Sequence, residues 1–204
     1  MHILEKERAR RVDQALLDTL GKRNFDPRVV RGADEALQLV LSLLPDGALV
    51  SHGGSTTLEQ IGLESALATS SRVRYGNAEW LAEDDSELRT SIRKRNSVFA
   101  DVYLGSVQAI ARTGQVVGAD AGGSRQGPYV WGPNRLIWVA GTNKIVADLN
   151  AAIRRVHEVA LPLESERMRG AGEQAGSSVN KLVVYERDRV GRTTLVLVEA
   201  ELGF

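Results

Sequence analysis

The chain contains no cysteine. That absence excludes disulfides, thiolate zinc sites, iron–sulfur ligation and a cysteine nucleophile together, and it agrees with a reducing, cytoplasmic setting. Net charge is also lacking, since 26 Lys+Arg balance 26 Asp+Glu. A general nucleic-acid binder needs surplus cations to displace phosphate counterions, so no nucleic-acid partner is expected. No stretch approaches the roughly 18 apolar residues of a membrane helix. The N-terminal MHILEKERARRVDQALL has no long apolar core, so neither a membrane span nor a signal peptide is expected. Histidine is scarce and scattered, at His2, His52 and His157, and no metal site can be assembled from those positions. Repeats and low-complexity linkers are missing too, leaving only glycine-rich patches at 118–127 and 170–178.

What is present suits one globular domain able to bury its own core: 204 residues, 43% hydrophobic and 25% charged. Leu4, Val12, Leu16 and Leu20 predict a helix over 3–20, stopped at Gly21. Ala36, Leu37, Val40, Leu41 and Leu44 predict a second helix, broken by Pro45-Asp46-Gly47. A short buried strand is expected over 48–51, and Leu58, Ile61, Leu63 and Leu67 then resume the helical period. The acidic run at 83–87 precedes Leu88 and Ile92 and ends in Arg93-Lys94-Arg95, a charge order that complements a helix dipole. Strands are expected over 98–104, 114–117, 136–140, 181–185 and 193–198. A helix capped by Thr142 or Asn143, with the stripe Ile145, Val146, Leu149, Ile153 and Val156, is expected to end near Pro162. Helices alternating with short apolar strands point to a three-layer α/β/α domain. Residues 1–46 are read as an N-terminal helical segment packing on an α/β domain of residues 47–204.

Three loops carry candidate chemistry. In VSHGGSTTLEQIG, at 50–62, a strand runs into glycines, hydroxyls and a helix. Gly53 and Gly54 let backbone approach a ligand, and Ser55, Thr56 and Thr57 can hydrogen-bond a phosphate or carboxylate. The same hydroxyls can instead cap the helix, with Thr56 and Glu59 at capping-box spacing. A phosphate-binding lysine motif and the G-x-G-x-x-G fingerprint are both absent. His52 and Ser55 fail the pattern of a nucleophile elbow, because Thr57 replaces its last glycine. The second loop runs from Asp120 to Arg125, where the guanidinium can clamp an anion or simply pair with Asp120, and Asp120 is a weak candidate for general base. The third, Gly141-Thr142-Asn143-Lys144, follows the strand LIWVA, with Lys144 as a point charge or an exposed lysine beside a cap.

GGSTTLEQIGL (53–63), ADVYLGSVQAIARTGQVV (100–117), WGPNRLIWVAGTNKIVADLNAAIRRV (131–156) and GRTTLVLVEAELGF (191–204) occur in one order. That set resembles the LUD-domain family, named for lactate utilization, in particular its short lactate-utilization protein C type. The resemblance covers most of residues 50–204. It implies a Rossmann-like α/β/α fold related to ribose-phosphate isomerase, glucosamine-phosphate deaminase and CoA transferases. It also implies a role in oxidising L-lactate to pyruvate, in a complex with iron–sulfur partner proteins. Carried over by position, its site candidates are Gly53, Gly54, Ser55, Thr56, Asp120, Arg125, Asn143 and Lys144. Many relatives have Asn-Ala-Ile where this chain has Gln108-Ala109-Ile110, and many carry cysteines where it has GAGEQAGSSVNK (170–181). A cluster-bearing role is thereby excluded and no cofactor is assigned to the chain. A free-standing enzyme acting on a small anion such as a sugar phosphate, folate or CoA thioester is the alternative reading.

Overall fold

The computed structural model describes residues 10–204, so Leu4 and His2 lie outside the described residues. Helix α1 (Gln14–Gly21) starts at Asp13, whose carboxylate accepts from Leu16 N, and buries Leu16 and Leu20. Strand β1 (Phe25–Val30), which the flanking helical periodicity does not announce, leads to helix α2 (Ala33–Ser42) with Ala36 and Val40 buried. Strand β2 (Leu49–His52) precedes helices α3 (Thr56–Gln60) and α4 (Leu63–Ala68). The apolar spacing over 58–67 predicts one helix, but Gly62 sits in the left-handed region at φ 73° and splits it. Strand β3 (Arg74–Tyr75) and helix α5 (Gly76–Leu81) follow. The acid-to-base segment then forms helix α6 (Ser86–Val98), capped by Asp85 through Glu87 N and Leu88 N. Because α6 runs through Val98, strand β4 (Val102–Gly105) begins later than its apolar texture suggests.

Strands β5 (Ala109–Ala111) and β6 (Val116–Asp120), helix α7 (Gln126–Val130) and strand β7 (Arg135–Gly141) come next. Here the expected helix from Ile145 is corrected. Thr142–Lys144 is a single 3₁₀ turn, and Ile145–Val146 is strand β8, paired with β5. Helix α8 (Leu149–Arg155) starts after two intervening residues, capped by Asp148 through Ala151 N. Nor does Pro162 end it: a π turn (Val156–Ala160) carries the chain into helix α9 (Leu161–Gly170). Proline is tolerated because it occupies the first turn of α9, where its missing N–H is least needed. Strands β9 (Lys181–Tyr185) and β10 (Thr193–Val198) complete the order.

The main sheet has six strands in the order β1-β10-β7-β4-β2-β3, every neighbouring pair parallel. Pro27 fits because β1 is an edge strand. A second sheet, β8-β5-β6-β9, takes β9, so the two last strands part company across Gly191. Strand period decides the layers. Val102, Leu104, Ile137, Val139, Val196 and Val198 face α2, α3 and α4, while Tyr103, Leu136, Trp138, Ala140, Leu195 and Leu197 face α1 and the inner side of the small sheet. Helix α8 covers that sheet's outer side through Ala152 and the π turn's Val156. The result is a three-layer α/β/α Rossmann-like domain whose second layer includes the small sheet. Among the described residues no helix is long and apolar enough to cross a membrane.

Gly105, the last residue of β4, lies directly against Tyr129: a Cβ there would sit 1.7 Å from the phenolic oxygen. That oxygen donates to Ser106 O at 2.9 Å, holding the end of β4 in place. Gly105→Ala is expected to cost about 1–3 kcal/mol by overpacking, lowering Tm by about 2–4 °C per kcal/mol. Gly127→Ala, where a Cβ meets nothing within 4 Å, is the control and should leave Tm unchanged or slightly raised. Equal Tm values for both variants in a melting experiment would contradict the packing described.

Candidate functional site

The strands of a parallel sheet end together, and loops leaving their carboxyl ends are the usual ligand-facing surface of such folds. Here the loops after β2, β4 and β7 leave that edge, and the loop after β6 of the small sheet reaches the same place. They border one cleft of about 620 Å³, lined among others by Gly54, Ser55, Thr56, Thr57, Ser106, Asp120, Arg125 and Lys144. The three loops singled out from sequence therefore meet in space.

Lys144 sits at the bottom of this arrangement, 2% exposed. Its Nζ donates to Thr57 Oγ1 and to Ser106 Oγ, both at 2.9 Å. No carboxylate pairs with it among the described residues. Burial, with the neighbouring Arg155 and Arg125 charges, pushes its amine well below the ordinary value of 10.5. An uncompensated buried charge costs several kcal/mol. The fold can meet that cost in two ways, by releasing the proton or by admitting an anion. The C-terminal ELGF segment closes over the amine: Gly203 adopts φ 55°, and a Cβ there would fall 2.3 Å from Thr57 Oγ1 and 3.3 Å from Lys144 Nζ.

Asn143 faces the other way and is not among the lining residues. Its Nδ2 donates to Gly203 O at 2.9 Å and its Oδ1 accepts from Leu202 N at 3.1 Å, so it pins the segment that covers Lys144. Gly141 has no side chain for the same reason, since a Cβ would meet Ala200 O and Leu202 N at 2.6 Å. Arg155, buried and lowered to about 10 chiefly by burial, spends its guanidinium on Asn143 O and Gln108 O. These clamps fix the 3₁₀ turn that carries Lys144.

Arg125 reaches the cleft across Gly53, where a Cβ would lie 2.4 Å from its Cγ. Gly53 thus serves by being absent, and Gly54 O accepts from Arg125 Nη1 at 3.3 Å. Asp120 Oδ2 accepts from Arg125 N at 2.9 Å and stands 3.7 Å from its Nε, which makes it a positioning group for the arginine. Ser55 is the cap of α3, accepting from Leu58 N, so the Thr56–Glu59 capping box does not form. Thr56 lines the cleft. His52 and Ser55 do not form a catalytic pair. His52 Nδ1 meets Gly53 O at 3.1 Å and must donate there, so Nε2 accepts from Tyr75 OH at 2.7 Å. Burial lowers the His52 pKa and keeps this tautomer neutral.

Thr57, one of the three loop hydroxyls read from sequence, is buried against Lys144, and Ser106 is the site residue that motif reading does not reach. A signal existed: a glycine and a serine, Gly105-Ser106, close the buried strand β4 much as Gly54-Ser55 come after β2. Gln108 also lines the cleft, its Oε1 accepting from Ala119 N at 2.8 Å. Of the other lining cations, Arg167 is committed to Glu164 at 2.7 Å, and Arg93 stacks over Trp80 at 5.3 Å and donates to Ser124 Oγ. Among the described residues no three of His, Cys, Asp and Glu cluster as a metal site.

The depressed lysine has a consequence for stability. Between its folded pKa and 10.5 the unfolded chain binds more protons at Lys144 than the folded chain does. The stability it contributes is therefore present in full above 10.5 and is lost as pH falls toward the folded pKa. Relative to Lys144→Met, the parent chain should gain stability as pH rises from neutral toward 10.5, read as a widening difference in urea-unfolding free energy. Parallel pH curves for the two proteins would contradict the burial of an unpaired amine.

Comparison with known proteins places this geometry in a family. A crystal structure of a DUF162 family protein from Deinococcus radiodurans superposes with TM-score 0.53, covering 97% of this chain and 99% of that one at 13% identity. At that identity the likeness concerns the fold. No curated protein matches the sequence. The family model described as the LUD domain matches residues 14–181, a span that holds Lys144, Arg125, Ser106 and the GGS loop. The chain belongs to the LUD-domain family.

Proposed function

We propose that the chain is a cytoplasmic lactate-utilization protein, a non-redox subunit of a complex oxidising L-lactate to pyruvate, whose cleft receives the small carboxylate. The observation that carries this reading is the meeting of Arg125 and Lys144 with the Thr57 and Ser106 hydroxyls on one cleft. A carboxylate there would supply the counter-charge that Lys144 lacks among the described residues, and would accept from a guanidinium fork. Arg125 is available for it: its side-chain contacts to Gly54 O and Ala119 O, at 3.3 and 3.4 Å, are longer than strong hydrogen bonds and easily exchanged. The lactate context comes from the family. With no cysteine in the chain, electrons would leave through iron–sulfur partner proteins.

One observation favours a second reading, a free-standing enzyme on a larger anion such as a sugar phosphate, folate or CoA thioester. The cleft, at about 620 Å³, has far more room than a three-carbon acid fills.

A thermal-shift series separates the two. L-lactate or pyruvate at a hundred times its Kd should stabilise the chain by about 2.7 kcal/mol, and Arg125→Ala should abolish the shift. Selective stabilisation by a sugar phosphate, folate or CoA thioester would favour the second reading. Indifference to every anion tested would contradict both. Co-purification of iron–sulfur proteins with the tagged chain from cells grown on L-lactate is the matching test of the complex.

A further inference from the structure

The hydrogen bonds around Lys144 define more than a charge. An ammonium group carries three N–H donors, whereas a neutral amine carries two and a lone pair. The protein offers Nζ two acceptors, Thr57 Oγ1 and Ser106 Oγ. Both hydroxyl protons are already directed elsewhere: Ser106 Oγ donates to Thr57 Oγ1 at 3.2 Å, and Thr57 Oγ1 donates to Leu202 O at 3.5 Å. Neither hydroxyl donates to the lysine, so a neutral amine held this way keeps its lone pair unshared. Lys144, Thr57 and Ser106 all border the cleft, as does Arg125. The group is thus an oriented nucleophile within a site that also holds an anion-binding guanidinium.

We propose that the Lys144 amine forms an imine with an α-keto carboxylate bound in the cleft. The inference rests on the reading of the cleft as a carboxylate site and adds a covalent step to it. An amine of this kind reacts with a carbonyl carbon, and the cleft's cation calls for an anion. The smallest molecules that offer both on adjacent carbons are α-keto acids. Attack of the Nζ lone pair on the keto carbon forms an N–C bond, and the carbonyl π pair moves to oxygen, which takes up a proton. The resulting carbinolamine gives up its nitrogen proton and expels its hydroxyl as water, leaving C=N. Amine and ketone become imine and water, and no oxidant or reductant enters. Ser106 and Thr57, in hydrogen-bond contact with Nζ and with each other, are placed to pass the protons. Arg125 would hold the carboxylate.

Reductive trapping tests this on the full chain. Incubated with pyruvate and sodium cyanoborohydride, the protein should acquire one adduct, of pyruvate mass less one water plus two hydrogens. Peptide mapping should place it on Lys144, with Lys22, Lys94 and Lys181 unmodified as internal controls that require no variant. Acetone, a ketone without a carboxylate, should label at least about tenfold less, because a charge-assisted hydrogen bond is worth that much occupancy. Absence of an adduct, or adducts on the exposed lysines in preference to Lys144, overturns the proposal. Equal labelling by acetone overturns the role given to the carboxylate. A pyruvate-dependent rise in Tm without trapping overturns the imine alone, whereas absence of both removes the carboxylate site as well.

Discussion

A lysine amine held between two hydroxyls, with no carboxylate to balance it among the described residues, is the constraint on which the functional half of this molecule turns. Leaving a charge there is expensive, and much of the surrounding structure reads as the means of holding the amine in place regardless. Asn143 and Gln60 tie down the segment that crosses it, through Gly203 O and Gly203 N respectively. Arg155 ties the 3₁₀ turn to the β5 side through backbone carbonyls. The terminal ELGF motif is explained by this same contact, because only a glycine at 203 lets backbone pass so close to Thr57 and Lys144.

The parallel sheet supplies the geometry. Its strands alternate between two buried faces, so side chains inside the sheet are committed to packing, and chemistry is left to the carboxyl-end loops. Arg125 comes from outside the main sheet, on the loop that follows β6. It can enter the cleft because Gly53 leaves space and Asp120 turns it. The cleft is accordingly a joint product of both sheets and is not attached to either alone.

Much of this was legible in the residues. The strands at 135–141, 181–185 and 193–198, the charge-ordered helix α6 and the three loops all follow from local pattern. What local pattern could not convey was pairing. Ile145 and Val146 fit a helical stripe, yet β5 offers them a parallel partner and takes them into a sheet. Strand β1, with Pro27 and Arg28 in it, has little strand character of its own and exists because β10 pairs along its full length. Asn143 and Lys144 are adjacent in sequence, but the turn sends one to the terminal segment and the other under the cleft. A single hydroxyl after a strand, such as Ser106, is a weak signal until Lys144 is seen beside it.

The LUD-domain assignment fixes the family, and the cleft gives that assignment a physical centre. The most direct test of that centre is an NMR titration of the lysine side chains, with Lys144 assigned by substitution. The account predicts that the Lys144 signal titrates well below the ordinary lysine value of 10.5, and that a bound carboxylate moves it back up. Titration of Lys144 at or above 10.5 would contradict the account.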